Sequence, residues 1–254
     1  MRIRLTSGLI LGQAPYQIQT IDGLETPAIR NSNAVYAGAD GGYMISQYYG
    51  HRTITIKGFF HGCVSDLRQE LLSRLYMRYY SKITIEDFNG DCWIIEGYVS
   101  DIKTQLKSPK VGEYQLTLIC PDPLLHPTES FLSESPTIIE EELTVNGDTT
   151  ILRHGDSDVC PIITLTGEFT NPVIILGDYA FGLNLTTDNS SIITIDMKNR
   201  TVKSNDGTSL AEYRLVDSRW LHLGLGANTI TIETEDESDT GTAELTYSAG
   251  YRGI

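Results

Sequence analysis

Polar and apolar residues alternate with a period of two through much of this chain, and no other feature constrains its fold as tightly. Thr53–Lys57 reads Thr-Ile-Thr-Ile-Lys, Ile83–Glu86 reads Ile-Thr-Ile-Glu, and Tyr114–Leu118 reads Tyr-Gln-Leu-Thr-Leu. Successive side chains of a strand point to opposite faces, so each run predicts a strand with one buried face. Cys92–Val99 is β-branched and aromatic almost throughout, which also favours a strand. Asp22-Gly23, Asp40-Gly41-Gly42 and Asn89-Gly90 punctuate these runs with residues that tolerate the positive φ of tight turns.

One segment follows a different period. From Ser65 to Tyr79 the apolar residues Leu67, Leu71, Leu72, Leu75, Tyr76 and Tyr79 recur at helical spacing, with Arg68, Arg74 and Arg78 off that stripe. Asp66 and Gln69 have the spacing of a capping box. The pattern predicts one amphipathic helix over 65–79, laid by its apolar face on a sheet.

Three prolines, Pro121, Pro123 and Pro127, interrupt the strands after Cys120, and the polar stretch Thr128–Pro136 follows. A domain boundary is expected there, with a first domain over 1–128, a linker over 129–137 and a second domain over 138–254. Beyond the linker, strands are expected at Glu142–Val145 and Thr149–Leu152, joined by Asn146-Gly147 as a hairpin turn. Further strands are expected at Pro161–Leu165, Val173–Leu176, Ile192–Asp196, Asn228–Glu233 and Glu244–Tyr247. Short strands separated by turn signals, with no convincing helix, argue for a jelly-roll β-sandwich. The chain therefore reads as mainly β: an N-terminal module of strands with one α-helix laid on a sheet, then a β-sandwich.

The charge is unevenly placed. Of 19 basic and 33 acidic side chains, residues 1–126 hold 12 of each, and residues 127–254 hold 7 basic and 21 acidic. The whole net charge of −14 sits in the second half, which argues against a basic groove for nucleic acid and for two modules with different surroundings. No segment reads as a signal peptide and no apolar run approaches the length of a spanning helix, so no membrane partner is expected. Cys63, Cys92, Cys120 and Cys160 form no Cys-x-x-Cys pair and are expected as buried free thiols.

Catalytic motifs are missing, so the chain does not read as an enzyme, and no cofactor is expected. His61-Gly62-Cys63 offers two metal ligands where zinc needs four. The acidic run from Glu233 to Asp239 lacks the order of a calcium loop and is expected at a solvated hairpin tip. No metal is therefore expected. Tyrosines are concentrated in the first module, where Tyr36, Tyr43, Tyr48 and Tyr49 follow one another closely. Tyr and Trp are favoured at protein interfaces.

Several segments, taken in order, resemble the distal tail (Dit) proteins of long, non-contractile-tailed bacteriophages. Gly38-Ala39-Asp40-Gly41-Gly42 and then Gly50–Gly58 look like that family's glycine-rich loop and early strand. Leu118–Leu124 is similar to the Asp-Pro signature that closes its first module. Cys160–Gly167 followed by Asn171-Pro172-Val173, Ile195-Asp196 before Thr201-Val202, Trp220–Ile230 and the closing Tyr251–Ile254 resemble the second module.

The resemblance implies a structural protein of the virion tail tip, made and assembled in the bacterial host cytoplasm. It implies a homohexameric ring that joins the tail tube protein to the tail-associated tip protein, with an axial channel through which DNA passes unbound. The resemblance makes the first domain a ring-forming, β-sandwich-like domain carrying the one α-helix; a galectin-like second sandwich would lie outside and hold receptor-binding or baseplate proteins, and residues 251–254 would return to the first domain. The candidate ring-interface loop is Tyr36, Gly38, Asp40, Gly41, Gly42, Tyr43, Tyr48, Tyr49 and Arg52. The alternative is a carbohydrate-binding sandwich acting in host-surface recognition, with Trp220 as the stacking aromatic. A DNA conduit should not grip its cargo, so acidic rather than basic side chains of the first module are expected at the lumen.

Overall fold

A computed structural model describes residues 1–75 and 80–254. The chain divides into two compact units, Met1–Pro136 together with Tyr251–Ile254, and Thr137–Gly250. Among the described residues no helix is long and apolar enough to cross a membrane.

The first unit contains β1 (Arg2–Leu5), β2 (Ile10–Leu11), β3 (Tyr16–Asp22), β4 (Ile29–Val35), β5 (Gly42–Tyr49), β6 (Arg52–His61), α1 (Val64–Arg74), β7 (Tyr80–Glu86), β8 (Cys92–Ser108), β9 (Val111–Cys120) and β10 (His126–Pro127). Its large antiparallel sheet has the order β2-β1-β7-β8-β9-β6-β3, with β10 added on β8. The alternation of β6 and β9 places Ile54, Ile56, Phe60, Leu116 and Leu118 on one face, all fully buried, against Ile3, Ile83 and Ile85. The sheet curls. Gly12 N–H donates to the Tyr16 carbonyl, and Gln13 bridges to Tyr16, so the β2 end meets the start of β3.

Helix α1 buries Val64, Leu71 and Leu75 in this core and packs Leu67 partly against it. Leu72, expected on the apolar stripe, is 41% exposed. The capping box does not form: Cys63 is the N-cap and no side chain caps the helix. Asp66 lies within the first turn and favours the helix through its dipole instead. Tyr76, Arg78 and Tyr79, assigned to the helix on periodicity, lie outside the described residues.

The second unit is a two-sheet sandwich. Its strands are β11 (Ile139–Leu143), β12 (Gly147–Arg153), β13 (Ile162–Thr166), β14 (Val173–Leu176), β15 (Tyr179–Gly182), β16 (Ile192–Asp196), β17 (Thr201–Ser204), β18 (Gly226–Glu233) and β19 (Thr242–Tyr247). One sheet runs β11-β19-β13-β16-β17 and the other β12-β18-β14-β15, every pair antiparallel. Ile163, Leu165, Ile195 and Leu245 from one sheet and Ile174, Phe181, Ile230 and Ile232 from the other form a single core.

Two turn readings are corrected. Asn146-Gly147 does not close a hairpin, because β11 pairs with β19 and β12 with β18, in different sheets. Asn146 does adopt φ 54°, the left-handed region that its residue type tolerates. The acidic run likewise joins β18 of one sheet to β19 of the other, so it is a crossover rather than a hairpin tip. Leu143 and Ile151 are both buried, and a two-sheet core accommodates that by sending the chain across at 144–146.

Candidate functional site

The most exposed apolar surface among the described residues of the first unit lies on β4 and β5, which there pair only with each other. Register runs from Ile29 opposite Tyr49 to Val35 opposite Gly42, with a bulge where Ser32 pairs with Ser46 and Asn33 with Met44. The turn is closed by Tyr36 N–H donating to the Gly41 carbonyl, and Gly38 and Gly41 hold φ of 76° and 96°. Tyr36 and Tyr43 rings meet at 5.6 Å. Ile29, Val35, Tyr36, Tyr43, Met44, Ile45 and Tyr48 are all about half exposed or more, Val35 reaching 84%.

An isolated two-stranded hairpin is at best marginally stable in water. Burying a fully exposed side chain of this kind is worth roughly 1.5–3 kcal/mol, and covering one that is half exposed about half of that. The arm also has two strand edges with unpaired backbone groups, which template pairing with another chain. An apolar, edge-bearing arm of this kind is built to be covered.

Eight of the nine candidate interface residues, Tyr36, Gly38, Asp40, Gly41, Gly42, Tyr43, Tyr48 and Tyr49, lie on this arm or its turn. Arg52 does not. Its guanidinium is 2% exposed and donates from Nε to the Pro123 carbonyl (2.7 Å), from Nη1 to Gly23 (2.8 Å) and Glu25 (2.6 Å), and from Nη2 to Arg252 (2.6 Å). Arg52 belongs to the interior, where it ties four segments together at the root of the arm. Its exclusion from the surface has a simple cause: it shares strand parity with Ile54 and Ile56, so it points into the same core. Gly23 permits the knot, since its φ of +94° and its closeness to the Thr53 carbonyl leave no room for a Cβ.

The segment 251–254 completes this root. Tyr251 and Leu125 exchange both backbone hydrogen bonds at 2.9 Å, and Ile254 N–H donates to Leu24. Arg252 Nη1 donates to the Tyr49 hydroxyl at 3.1 Å, at the foot of β5. Tyr251 also meets Trp93 edge-on at 5.0 Å. Burial pushes the neighbouring Cys120 thiol up to about 12, although the Arg52 charge acts to lower it. That thiol is neutral at physiological pH.

Sequence patterning missed β4, read β5 as part of a glycine-rich loop, and passed over the apolar members Ile29, Val35, Met44 and Ile45. The segment Ile29–Val35 reads Ile-Arg-Asn-Ser-Asn-Ala-Val, poor in β-formers, and with both faces open no alternation marks it. The usable signal was the run Tyr43-Met44-Ile45 beside the glycine turn.

In the second unit Trp220 is half-buried, packed on Phe181 at 4.9 Å, with the Arg214 guanidinium 5.5 Å from its ring centre. Its ring is engaged by these two side chains and packs at the rim of the core. The acidic crossover is tied down: Asp239 accepts from Thr170 N–H and hydroxyl, and Glu235 from the Asn171 amide. Asp236 accepts from Ser238 N–H and hydroxyl, which lowers its pKa. Among the described residues no group of three or more His, Cys, Asp or Glu is placed to hold a metal. His61, one of the two suggested ligands, lies near Phe59, with ring centroids 6.5 Å apart. Of the four cysteines, all free, only Cys120 is buried and Cys63 is exposed, so the expectation of four buried thiols fails for three.

Residues 154–251 match the family model of the siphovirus-type tail component, C-terminal domain. A search of the curated proteins finds no match. Among solved structures, the chain aligns with the Dit protein (gp 19.1) of phage SPP1, at TM-score 0.74 and 15% identity, over 97% of this chain and 98% of that one. It also aligns with a chain of the phage P2 baseplate in its activated conformation with Ca, at TM-score 0.45 and 10% identity, over 100% and 99% of the two chains. The corresponding structure with Sr gives TM-score 0.44 and 9% identity, over the same shares. The SPP1 likeness extends over both units and is a likeness of fold.

Proposed function

We infer that this chain, which carries the siphovirus-type tail component domain in its second unit and the Dit fold along its length, is a structural subunit of a phage tail tip. In this reading it assembles as a homohexameric ring between the tail tube and the tip or baseplate, with an axial channel for DNA. The exposed β4–β5 arm carries the argument. It presents seven large apolar side chains and two free strand edges, more than a solitary copy has means to cover.

A closed ring needs heterologous contacts, in which one face of a subunit fits a different face of its neighbour. An arm that projects its own apolar surface is suited to that contact. The balanced charge of residues 1–126 lets copies approach without mounting repulsion, whereas the 21 acidic against 7 basic side chains of residues 127–254 would crowd one another at a ring centre. The second unit therefore belongs at the periphery, facing baseplate or receptor-binding proteins. The lumen is lined by acidic side chains of the first unit, so that DNA slides without being held.

Negative-stain electron microscopy of the purified chain, alone and mixed with the tail tube protein of the same phage, tests this reading. Six-fold rings with a central hole support it; particles of single-copy size under both conditions refute it.

A further inference from the structure

We propose that the seam in the curled sheet of the first unit is a slot that receives the β4–β5 arm of a second copy. The proposal rests on the ring reading above and adds to it the acceptor surface.

The seam is where the curl fails to close. The β2 end touches only the start of β3, at Gly12 and Tyr16, and beyond that point no strand pairs with the outer edge of β3 among the described residues. A groove of about 810 Å³ runs along this edge, from residues 17–25 to Gly12, Met1 and the 87–89 loop. Natural proteins usually shorten, charge or cover such edges. At the other end of this sheet β2 is two residues long, and in the second unit β15 is covered by backbone bonds from Leu215 and Arg219. β3 has seven residues, its single charge is Asp22, and it lies open over most of its length.

Arm and slot complement each other in three respects. In length, β4 and β5 have seven and eight residues against seven in β3, and all three carry a free edge. In polarity, the slot offers Ile18, Ile21 and Leu24 along its floor and Phe88, 88% exposed, at its rim, to an arm with seven exposed apolar side chains. In charge, the slot contains Asp22, Glu25 and Asp87 with no lysine or arginine, whereas the single charged residue of β4 and β5 is Arg30. Added to the edge of β3, an arm strand would satisfy the free backbone groups of both partners, the mode of β-strand addition. Within one chain β4 and β5 form a separate sheet and, among the described residues, neither pairs with β3, so the chain leaves its own slot open while offering an arm. Donor and acceptor are then different surfaces of one subunit, as a closed ring requires.

Photo-crosslinking of the full chain tests the slot. A benzophenone amino acid replaces Tyr43 or Tyr48, and equal amounts of unlabelled and ¹⁵N-labelled chain are mixed by dilution and reconcentration before irradiation. The expected products are mixed-label peptides joining the arm to residues 17–25 or 87–89. Phe88→Asp should lower their yield about tenfold, the effect of losing a buried aromatic anchor. Mixed-label products that map elsewhere, or a yield that Phe88→Asp leaves unchanged, would overturn the slot. Light scattering on the same samples separates the two readings. A hexamer crosslinked elsewhere removes the slot and keeps the ring; a monomer at every concentration, with and without the tail tube protein, removes both.

Discussion

Replacing Arg52 by alanine removes the one side chain on which residues 23, 25, 123 and 252 converge. Four carbonyl oxygens, bonded at 2.6 to 2.8 Å by a guanidinium that is 2% exposed, lose their donor at once. Hydrogen bonds to a charged group are worth about 1.5–3 kcal/mol each. The cost of burying the guanidinium, several kcal/mol, is recovered when it is deleted, and water entering the gap satisfies part of the rest. The net loss expected is on the order of 3–5 kcal/mol. With a urea m-value of about 2 kcal/mol/M, the midpoint of the first unit should fall by roughly 2 M. The two tryptophans lie in different units, Trp93 in the first and Trp220 in the second, so Trp93 emission in a Trp220→Phe background reports the first unit alone. Trp93 also lies against Tyr251, so its spectrum should change in the native baseline when the root loosens. Arg52→Lys keeps the charge without the five-donor fork and should recover less than half of the loss. A midpoint lowered by under about 0.5 M in Arg52→Ala, with m unchanged, would show that the knot is not what holds the root together.

Further outcomes follow from the same geometry. Thiol titration of the native chain should label Cys63 quickly and Cys120 only on unfolding, because the first is exposed and the second buried with its pKa raised; early labelling of Cys120 would contradict the packing around Arg52. Alkali should unfold the first unit before the second. Cys120 rises from 9.0 to about 12, and burial raises Tyr16 and Tyr114 as well. An acid whose pKa is higher in the folded state keeps its full contribution below the unfolded value and loses it as pH rises toward the folded one. The window is therefore pH 9 to 12, read by Trp93 against Trp220 emission. Val35→Asp and Tyr48→Asp, both at exposed sites, should leave the thermal midpoint within about 2 °C while abolishing assembly in light scattering. Trp220→Ala should lower the stability of the second unit by about 2–4 kcal/mol, the cost of emptying a partly buried aromatic site against Phe181. A stability change under about 0.5 kcal/mol would mean that Trp220 is not part of the core.

Strands with one buried face were legible because burial writes itself into alternation: Ile54 and Ile56 in β6 and Leu116 and Leu118 in β9 mark core and surface without ambiguity. β4 was illegible for the converse reason. Neither face of the arm is buried within its own chain, so nothing constrained its residues to alternate. Asn146-Gly147 carries true turn chemistry, but turn chemistry is local, and sheet membership is decided by which core Leu143 and Ile151 reach. At α1, Asp66 and Gln69 had capping-box spacing, yet the helix starts one residue early and leaves the pair inside its first turns. Arg52 shows how a site residue can be misplaced: it ends the glycine-rich segment 36–52 read as one interface loop, while strand parity with Ile54 assigned it to the interior. The exposed apolar side chains of the arm share a lesson with it. In both, exposure or burial contradicts residue type.

The claim that the arm builds a ring is tested most directly by the mass of the full-length chain in solution, measured by light scattering across a concentration series. The account predicts a species of about 170 kDa, six copies of 28.2 kDa, that Tyr48→Asp reduces to a single copy. A chain that stays at 28.2 kDa at every concentration, with and without its tail tube protein, would contradict it.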